Sequence, residues 1–234
     1  MKKGAIAIIT ARGGSKRIYH KNIKAFCGTP IIEYSIKAAL NSNIFDEVMV
    51  STDDEEIVNI SKSAGAEIPF MRSPENANDY ATTADVLKEV LGNYHNAGVE
   101  YEYACCIYPT APFVTTEKLK KAYNKLIEEK RDCVMPVTEF SFPPLRGMIF
   151  ENGSLNYKWN EYSLVRSQDL EKLYHDCGQF YFFKVDSFLE SGKLVMRNTG
   201  GIIVPELEVQ DIDNESDWKL AELKYQLLQK EGKK

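Results

Sequence analysis

A short, wholly apolar run from Ala5 to Ile9 passes directly into Arg12-Gly13-Gly14-Ser15, and the chain then takes up helical spacing. This succession constrains the fold more than any other feature. An uninterrupted apolar run of this length resembles a strand buried on both faces, the condition of a parallel strand, and the glycine turn behind it resembles a ligand-binding loop.

The same rhythm recurs along the sequence. Thr29-Pro30 offers an N-cap and a first helical position ahead of Ile32, Ser35, Ile36 and Ala39, which share one helix face. Val48 to Ser51 reads as a second strand. Asp53 and Asp54 cap a helix carrying Ile57, Ile60 and Ala64 on one side, and Gly65 stops it. Thr83 is expected to cap a helix of Val86, Leu87, Val90 and Leu91, and Tyr103 to Tyr108 is the next apolar strand. Thr116 opens a helix expected to turn Leu119, Ala122, Tyr123, Leu126 and Ile127 inward, and Cys133 to Val137 is a further strand. Strands alternating with helices predict an α/β domain with a mostly parallel sheet covered by helices on both faces.

Near residue 140 the rhythm changes. Met148 to Tyr157 reads as a β-hairpin around Asn152-Gly153, inside an insertion spanning about 140–170. Gln179 to Phe183, Ile202 to Val204, and a closing helix from Ser216 with Trp218, Ala221, Tyr225 and Leu228 inward complete the pattern. With 234 residues, the expectation is one domain over 1–234 carrying that small appendage.

Composition removes several function classes. Lys plus Arg number 29 against 34 Asp plus Glu, a formal charge of −5, so the overall field does not favour nucleic acid. The N-terminal apolar run is too short for a signal peptide or a membrane span, which predicts a cytoplasmic protein without a membrane partner. Five cysteines without a CxxC pair argue against a disulfide framework or a structural zinc site and suggest buried free thiols.

Two constellations carry chemistry. In the first, Gly13 and Gly14 allow a sharp turn whose N–H groups can converge on phosphate oxygens, while Arg12, Lys16, Arg17 and Lys21 add positive charge nearby. The stretch is neither a Walker P-loop nor GxGxxG, and taken alone it also fits a solvated loop. In the second, Asp211 and Asp213 stand two apart on an extended segment, so their carboxylates point the same way and suit a hard cation such as Mg²⁺. The plainer alternative is that Asp213 or Asn214 caps the last helix. Together the two acquire meaning, because nucleotidyl transfer needs a cradle for the triphosphate and a metal to bear charge on the leaving group.

The segment Ala11-Arg12-Gly13-Gly14-Ser15-Lys16 with Lys21-Asn22 resembles the ARxxSKxxxxKN signature of the CMP-sialic acid synthetases, and Gln210-Asp211-Ile212-Asp213 resembles their metal-binding motif. Further motifs occur in the family's order, so the resemblance runs from about residue 5 to 220. It implies a Rossmann-like three-layer nucleotidyltransferase that consumes CTP and a nonulosonic acid sugar. Arg12, Ser15 and Lys16, with the Gly13-Gly14 turn, would grip the triphosphate; Lys21, Asn22 and Thr83 would help place the cytidine; Asp211 and Asp213 would hold Mg²⁺. Arg12, Lys16 and Asp211 are the expected catalytic residues, and no protein nucleophile is required. Tyr108 stands where the sialate enzymes carry a sugar-contacting Gln, and with the stretch from Tyr174 to Tyr181 it leans toward the branch acting on pseudaminic acid. Arg166 is expected to pair with the sugar carboxylate. Gln179, Tyr181 and His175 are candidate contacts to the sugar, although Tyr181 equally fits strand packing and His175 a structural role. The insertion resembles the arm through which family members dimerise, which predicts a homodimer.

Overall fold

A computed structural model describes residues 2–232. In chain order its elements are β1 (Lys2–Thr10), β2 (Ala25–Phe26), β3 (Thr29–Pro30), α1 (Ile31–Ser42), β4 (Glu47–Ser51), α2 (Glu55–Ser63), α3 (Pro74–Ala77), α4 (Thr83–Asn96) and β5 (Glu100–Ile107). They continue with α5 (Thr116–Glu128), β6 (Cys133–Glu139), β7 (Met148–Glu151), β8 (Ser154–Tyr157), β9 (Tyr174–Asp176), β10 (Phe180–Lys184), α6 (Val185–Ser191), β11 (Thr199–Ile203) and α7 (Glu215–Lys230).

The central sheet runs β11-β6-β10-β5-β1-β4, with β9 added against β6. β1 pairs in parallel with both β4 and β5, while β10 is antiparallel to β5 and β6. Because β1 is central, its side chains are buried on both faces: Ala5, Ala7 and Ile9 enter one core with Ile32 and Ile36 of α1 and Leu119 and Ala122 of α5. Ile6 and Ile8 enter the other with Leu87 and Val90 of α4 and Phe188 of α6. These are the two helical coats of the expected three-layer domain. A third apolar cluster places α7, through Trp218, Ala221 and Leu228, against Ile18, Phe26, Ile31 and Phe113.

Several local expectations are corrected. Thr29-Pro30 does not open α1: it pairs with Ala25–Phe26 in a two-stranded ribbon, and Pro30 sits at the helix boundary without a side-chain cap. Thr82, not Thr83, caps α4, in a capping box with Asp85. Asp54 alone caps α2, accepting from the Glu56 and Ile57 amides, while Asp53 turns elsewhere. Ile127 is 41% exposed, because α5 has only one face to offer the sheet and Leu126 takes that position.

The hairpin of β7 and β8 forms as predicted, with Asn152 and Gly153 at φ of 51° and 79°, the left-handed pair that a tight hairpin turn requires. Among the described residues its two strands pair only with each other. Cys105, Cys106, Cys133 and Cys177 are buried and Cys27 is exposed. Burial pushes the Cys106, Cys133 and Cys177 thiols up to about 12, which removes them as nucleophiles. Among the described residues no helix is long and apolar enough to cross a membrane.

Candidate active site

Sheet topology places the site. The chain steps from β1 outward to β4 and then back across β1 to β5, so the strand order reverses beside the C-terminal end of β1. Open α/β sheets bind ligands in the crevice at such a reversal. Here the loop leaving β1 carries Arg12 to Asn22 into a cleft of about 420 Å³ lined by Thr10, Arg12, Ser15, Lys16, Lys21 and Asn22, with Arg17, Asp79 and Asp213 completing it.

The loop is held from three sides. The Asn22 amide nitrogen donates to the Arg12 carbonyl at 2.8 Å, the Gly13 N–H donates to Asp53 Oδ1 at 2.9 Å, and the Ser15 N–H folds back onto the Gly13 carbonyl at 2.9 Å. Neither Gly13 nor Gly14 uses a left-handed conformation, so the sharp turn expected of both has another cause. At Gly13 it is proximity: a Cβ would lie 2.6 Å from Asp54 Oδ2, the cap of α2. Gly14 faces open space.

From the other end of the chain, Asn214 caps α7 in a capping box with Asp217. That assignment leaves Asp211 and Asp213 free of capping. The two flank the buried Ile212, with Asp211 exposed and Asp213 partly so. Arg17 Nη1 meets Asp213 Oδ2 at 2.9 Å, joining the basic loop to the acidic arm. Asp211 lies beyond the lining residues, yet its charge reaches Lys21. Burial lowers the Lys21 pKa, and Asp213 and Asp211 oppose that shift. Among the described residues no group of three or more His, Cys, Asp or Glu gathers as a metal cage.

Two residues that sequence reasoning passed over belong here. Asp79 accepts from Arg12 Nη1 at 2.7 Å and forms an ion pair with Lys16, and these two cations hold its carboxyl below the usual carboxylate range. Arg72 is only 7% exposed; its guanidinium bonds the Ser51 hydroxyl and carbonyl at the end of β4, and burial lowers its pKa. Both lie in the stretch between α2 and α4; Asp79 falls within Pro74 to Leu87, one of the motifs that occur in the family's order, of which only Thr83 was singled out for the site.

Of the candidate sugar residues, Tyr108, Gln179 and Tyr181 come together where β5 and β10 meet, with His175 next to the Tyr181 partner Asp176, and only Arg166 stands apart. Tyr108 follows β5, where its hydroxyl stands 3.4 Å from that of Thr83 and its ring packs edge-on against Tyr181 at 5.8 Å. Tyr181 is a core side chain of β10 whose hydroxyl donates to Asp176. Gln179 is 2% exposed; its amide nitrogen donates to the Glu208 carbonyl at 2.7 Å, a buried tether, while its side-chain oxygen is buried without a hydrogen-bond partner among the described residues. His175 packs against Phe140 with its Nδ1 on the Asp176 carbonyl. Arg166 lies on an exposed turn and pairs with Asp169 three residues on, at 2.7 Å, so within one chain it does not reach the cleft.

A family model described as cytidylyltransferase matches residues 6–196. The chain belongs to that family. Among its relatives, a pseudaminic acid cytidylyltransferase of Campylobacter jejuni is 39% identical over 223 residues, covering 95% of this chain and 96% of that one. An N-acylneuraminate cytidylyltransferase of Escherichia coli is 30% identical, covering 94% of this chain and 52% of its own. Among solved structures, a CMP:2-keto-3-deoxy-manno-octonic acid synthetase complexed with CTP superposes with a TM-score of 0.68 at 16% identity, covering 97% of this chain and all of that one. At that identity the likeness establishes the shared Rossmann-like nucleotidyltransferase fold.

Proposed function

We propose that this cytidylyltransferase transfers CMP from CTP to a nonulosonic acid, with pseudaminic acid as the preferred acceptor, and releases pyrophosphate. The observation that carries the reading is the meeting of the cationic loop and the acidic arm in one cleft, with Arg17 and Asp213 in contact. The choice of pseudaminic acid is supported by the Campylobacter jejuni relative, which is similar over nearly the full length of both chains.

In this reading the anomeric hydroxyl of the sugar attacks the α-phosphorus in line. The new P–O bond forms as the bond to pyrophosphate breaks, and Arg12 and Lys16 offset the charge that gathers on the leaving oxygens. Asp211 and Asp213 fit Mg²⁺, a hard cation that takes one or two carboxylates and completes its shell with phosphate oxygens and water. When bound, the ion would share the charge of those phosphate oxygens. Among the carboxylates, Asp211 is the first candidate to accept the hydroxyl proton. A cytoplasmic location belongs to the same proposal and rests on the demand for CTP.

Pyrophosphate release decides the matter. It is measured with CTP and a panel of pseudaminic, legionaminic and N-acetylneuraminic acids and Kdo, with ATP, GTP and UTP as controls and a chelator arm. The expected result is fastest release with CTP and pseudaminic acid, lost on chelation. Faster release with another acid reassigns the substrate, and activity that survives chelation removes the metal. No release from any acid, with CTP binding retained, leaves a nucleotide-binding regulator.

A homodimer is part of the proposal. Phe142, Phe150, Leu155 and Leu164 are exposed on and around the hairpin, and a two-stranded ribbon is marginal unless packed on something. Light scattering is expected to give the mass of two chains, falling to one for Phe150→Asp. A one-chain mass for the native protein at working concentration rejects the dimer.

A further inference from the structure

We propose that Asp79 is an internal placeholder for phosphate: in the free protein its carboxylate occupies the seat between Arg12 and Lys16, and an incoming triphosphate must displace it. The inference rests on the triphosphate reading of the cleft and concerns how that seat is kept and vacated. Each carboxylate oxygen takes one cation, Oδ1 the Arg12 guanidinium at 2.7 Å and Oδ2 the Lys16 ammonium, as two oxygens of a phosphate group do. Among the described residues these two cations are the only side-chain partners of Asp79.

The segment carrying Asp79 is anchored on both sides, and its tip is exposed. Before it, Glu89 Oε1 accepts from the Ser73 amide at 2.7 Å, and its other oxygen binds the Asn76 amide. After it, the Thr82 and Asp85 capping box starts α4. Between these anchors, Asn78 Oδ1 accepts from the Tyr80 and Ala81 amides at 2.7 and 3.0 Å, a side-chain turn that projects Asp79 toward the cleft. Arg12 adds a bond to the Asn78 carbonyl at 3.0 Å, and Tyr80 stands 93% exposed. Cleft-side contact is therefore made largely through the cations that the nucleotide needs.

Two consequences follow from the chemistry. Arg12 and Lys16 are held together before ligand arrives, so part of the ordering cost of two long side chains is met in advance. Against this, the carboxylate competes for the seat, and the apparent dissociation constant rises as the inverse of the fraction of protein in which the seat is open. A triphosphate carries more charge than one carboxylate and wins the exchange. Return of the carboxylate would then help expel pyrophosphate after transfer.

Titration calorimetry on the native protein, Asp79→Asn and Asp79→Ala tests the exchange, with CTP, inorganic tripolyphosphate and cytidine as probes. Both variants are expected to bind CTP and tripolyphosphate about fivefold more tightly, the gain from releasing two exposed ion pairs, with cytidine binding unchanged. A structural role for the turn would not tighten binding. Equal or weaker binding of the phosphates by the variants overturns the proposal, as does an equal gain for cytidine, which would mean that the turn screens the base. If the native protein binds neither CTP nor tripolyphosphate, the triphosphate reading falls first and the placeholder with it. The two variants check each other's folding, and a thermal melt matching that of the native protein qualifies either for comparison.

Discussion

Replacing Lys16 with Ala is expected to lower turnover by about 10²–10³-fold, the range typical of losing one preorganised group that meets developing charge. The protein should remain folded. The Lys16 side chain is 78% exposed and its partner in the free protein is Asp79, so the substitution leaves no cavity and no buried orphan. Its effect on stability should stay within about 0.5 kcal/mol, as for other surface changes. The loss should appear in the rate of a single turnover at saturating CTP, since a group that acts as pyrophosphate departs contributes more to the transition state than to the bound ground state. Lys16→Arg restores charge without the same reach and should recover part of the rate. An Ala variant with native single-turnover rate would remove Lys16 from the chemistry and leave it only a binding contact.

Lys118→Ala is expected to destabilise the protein by about 3 kcal/mol, at the lower end of what breaking a buried ion pair costs. Lys118 is 8% exposed; its ammonium meets Glu208 Oε2 at 2.6 Å and the Phe113 carbonyl at 2.8 Å. Burial lowers its pKa and the Glu208 carboxylate opposes that shift. Glu208 keeps partial access to water, which places the cost at the lower end. For a chain of this size the loss corresponds to a fall in melting temperature of about 6–12 °C, measurable by calorimetry. The position also bears on the site, because Glu208 lies in the segment leading to Asp211 and Asp213. That segment is further tethered by Gln179 to the Glu208 carbonyl and by Lys224 to the Val209 carbonyl at 2.7 Å. The double variant Lys118→Met, Glu208→Leu should regain most of the lost stability, because it removes both charges from a poorly solvated place. If Lys118→Ala melts like the native protein, the pair is not holding the segment.

Much of this architecture was legible because the relevant signals are local. Ala5 to Ile9 reads as a buried strand on apolar continuity alone, and Asn152-Gly153 reads as a hairpin turn because few residue pairs accept two positive φ angles. Asp54 and the closing helix face were legible for the same reason. Where competing local signals coexist, tertiary packing chose. Thr29-Pro30 satisfies the rules for a helix start, yet the ribbon with Ala25–Phe26 claimed it. Thr82 rather than Thr83 is the cap for a local reason that the spacing carries, since only Thr82 has a carboxylate, Asp85, three residues on to reach back.

The site divides in the same way. The basic loop and the acidic pair could be named from residue type and spacing, since charge and glycine content are written in the chain. Their meeting could not, because Arg17 and Asp213 are brought together by the sheet order and by the packing of α7, not by any short-range preference. Gln179 reads as a polar strand residue open to a ligand, and only the position of the Glu208 carbonyl makes it a buried tether. Lys118 reads as one more solvent-facing lysine of α5, and Asp79 as one more polar loop residue.

By itself, then, the sequence determined the layered α/β plan and the chemical inventory of the cleft, because hydrophobic periodicity and charge act over a few residues. The tertiary structure alone decided which charges face one another, which polar groups lie out of water, and that Arg12 and Lys16 share a carboxylate of the chain's own. Those outcomes depend on contacts between residues remote in the chain, whose energies are set by distance and burial and have no counterpart in the order of the amino acids.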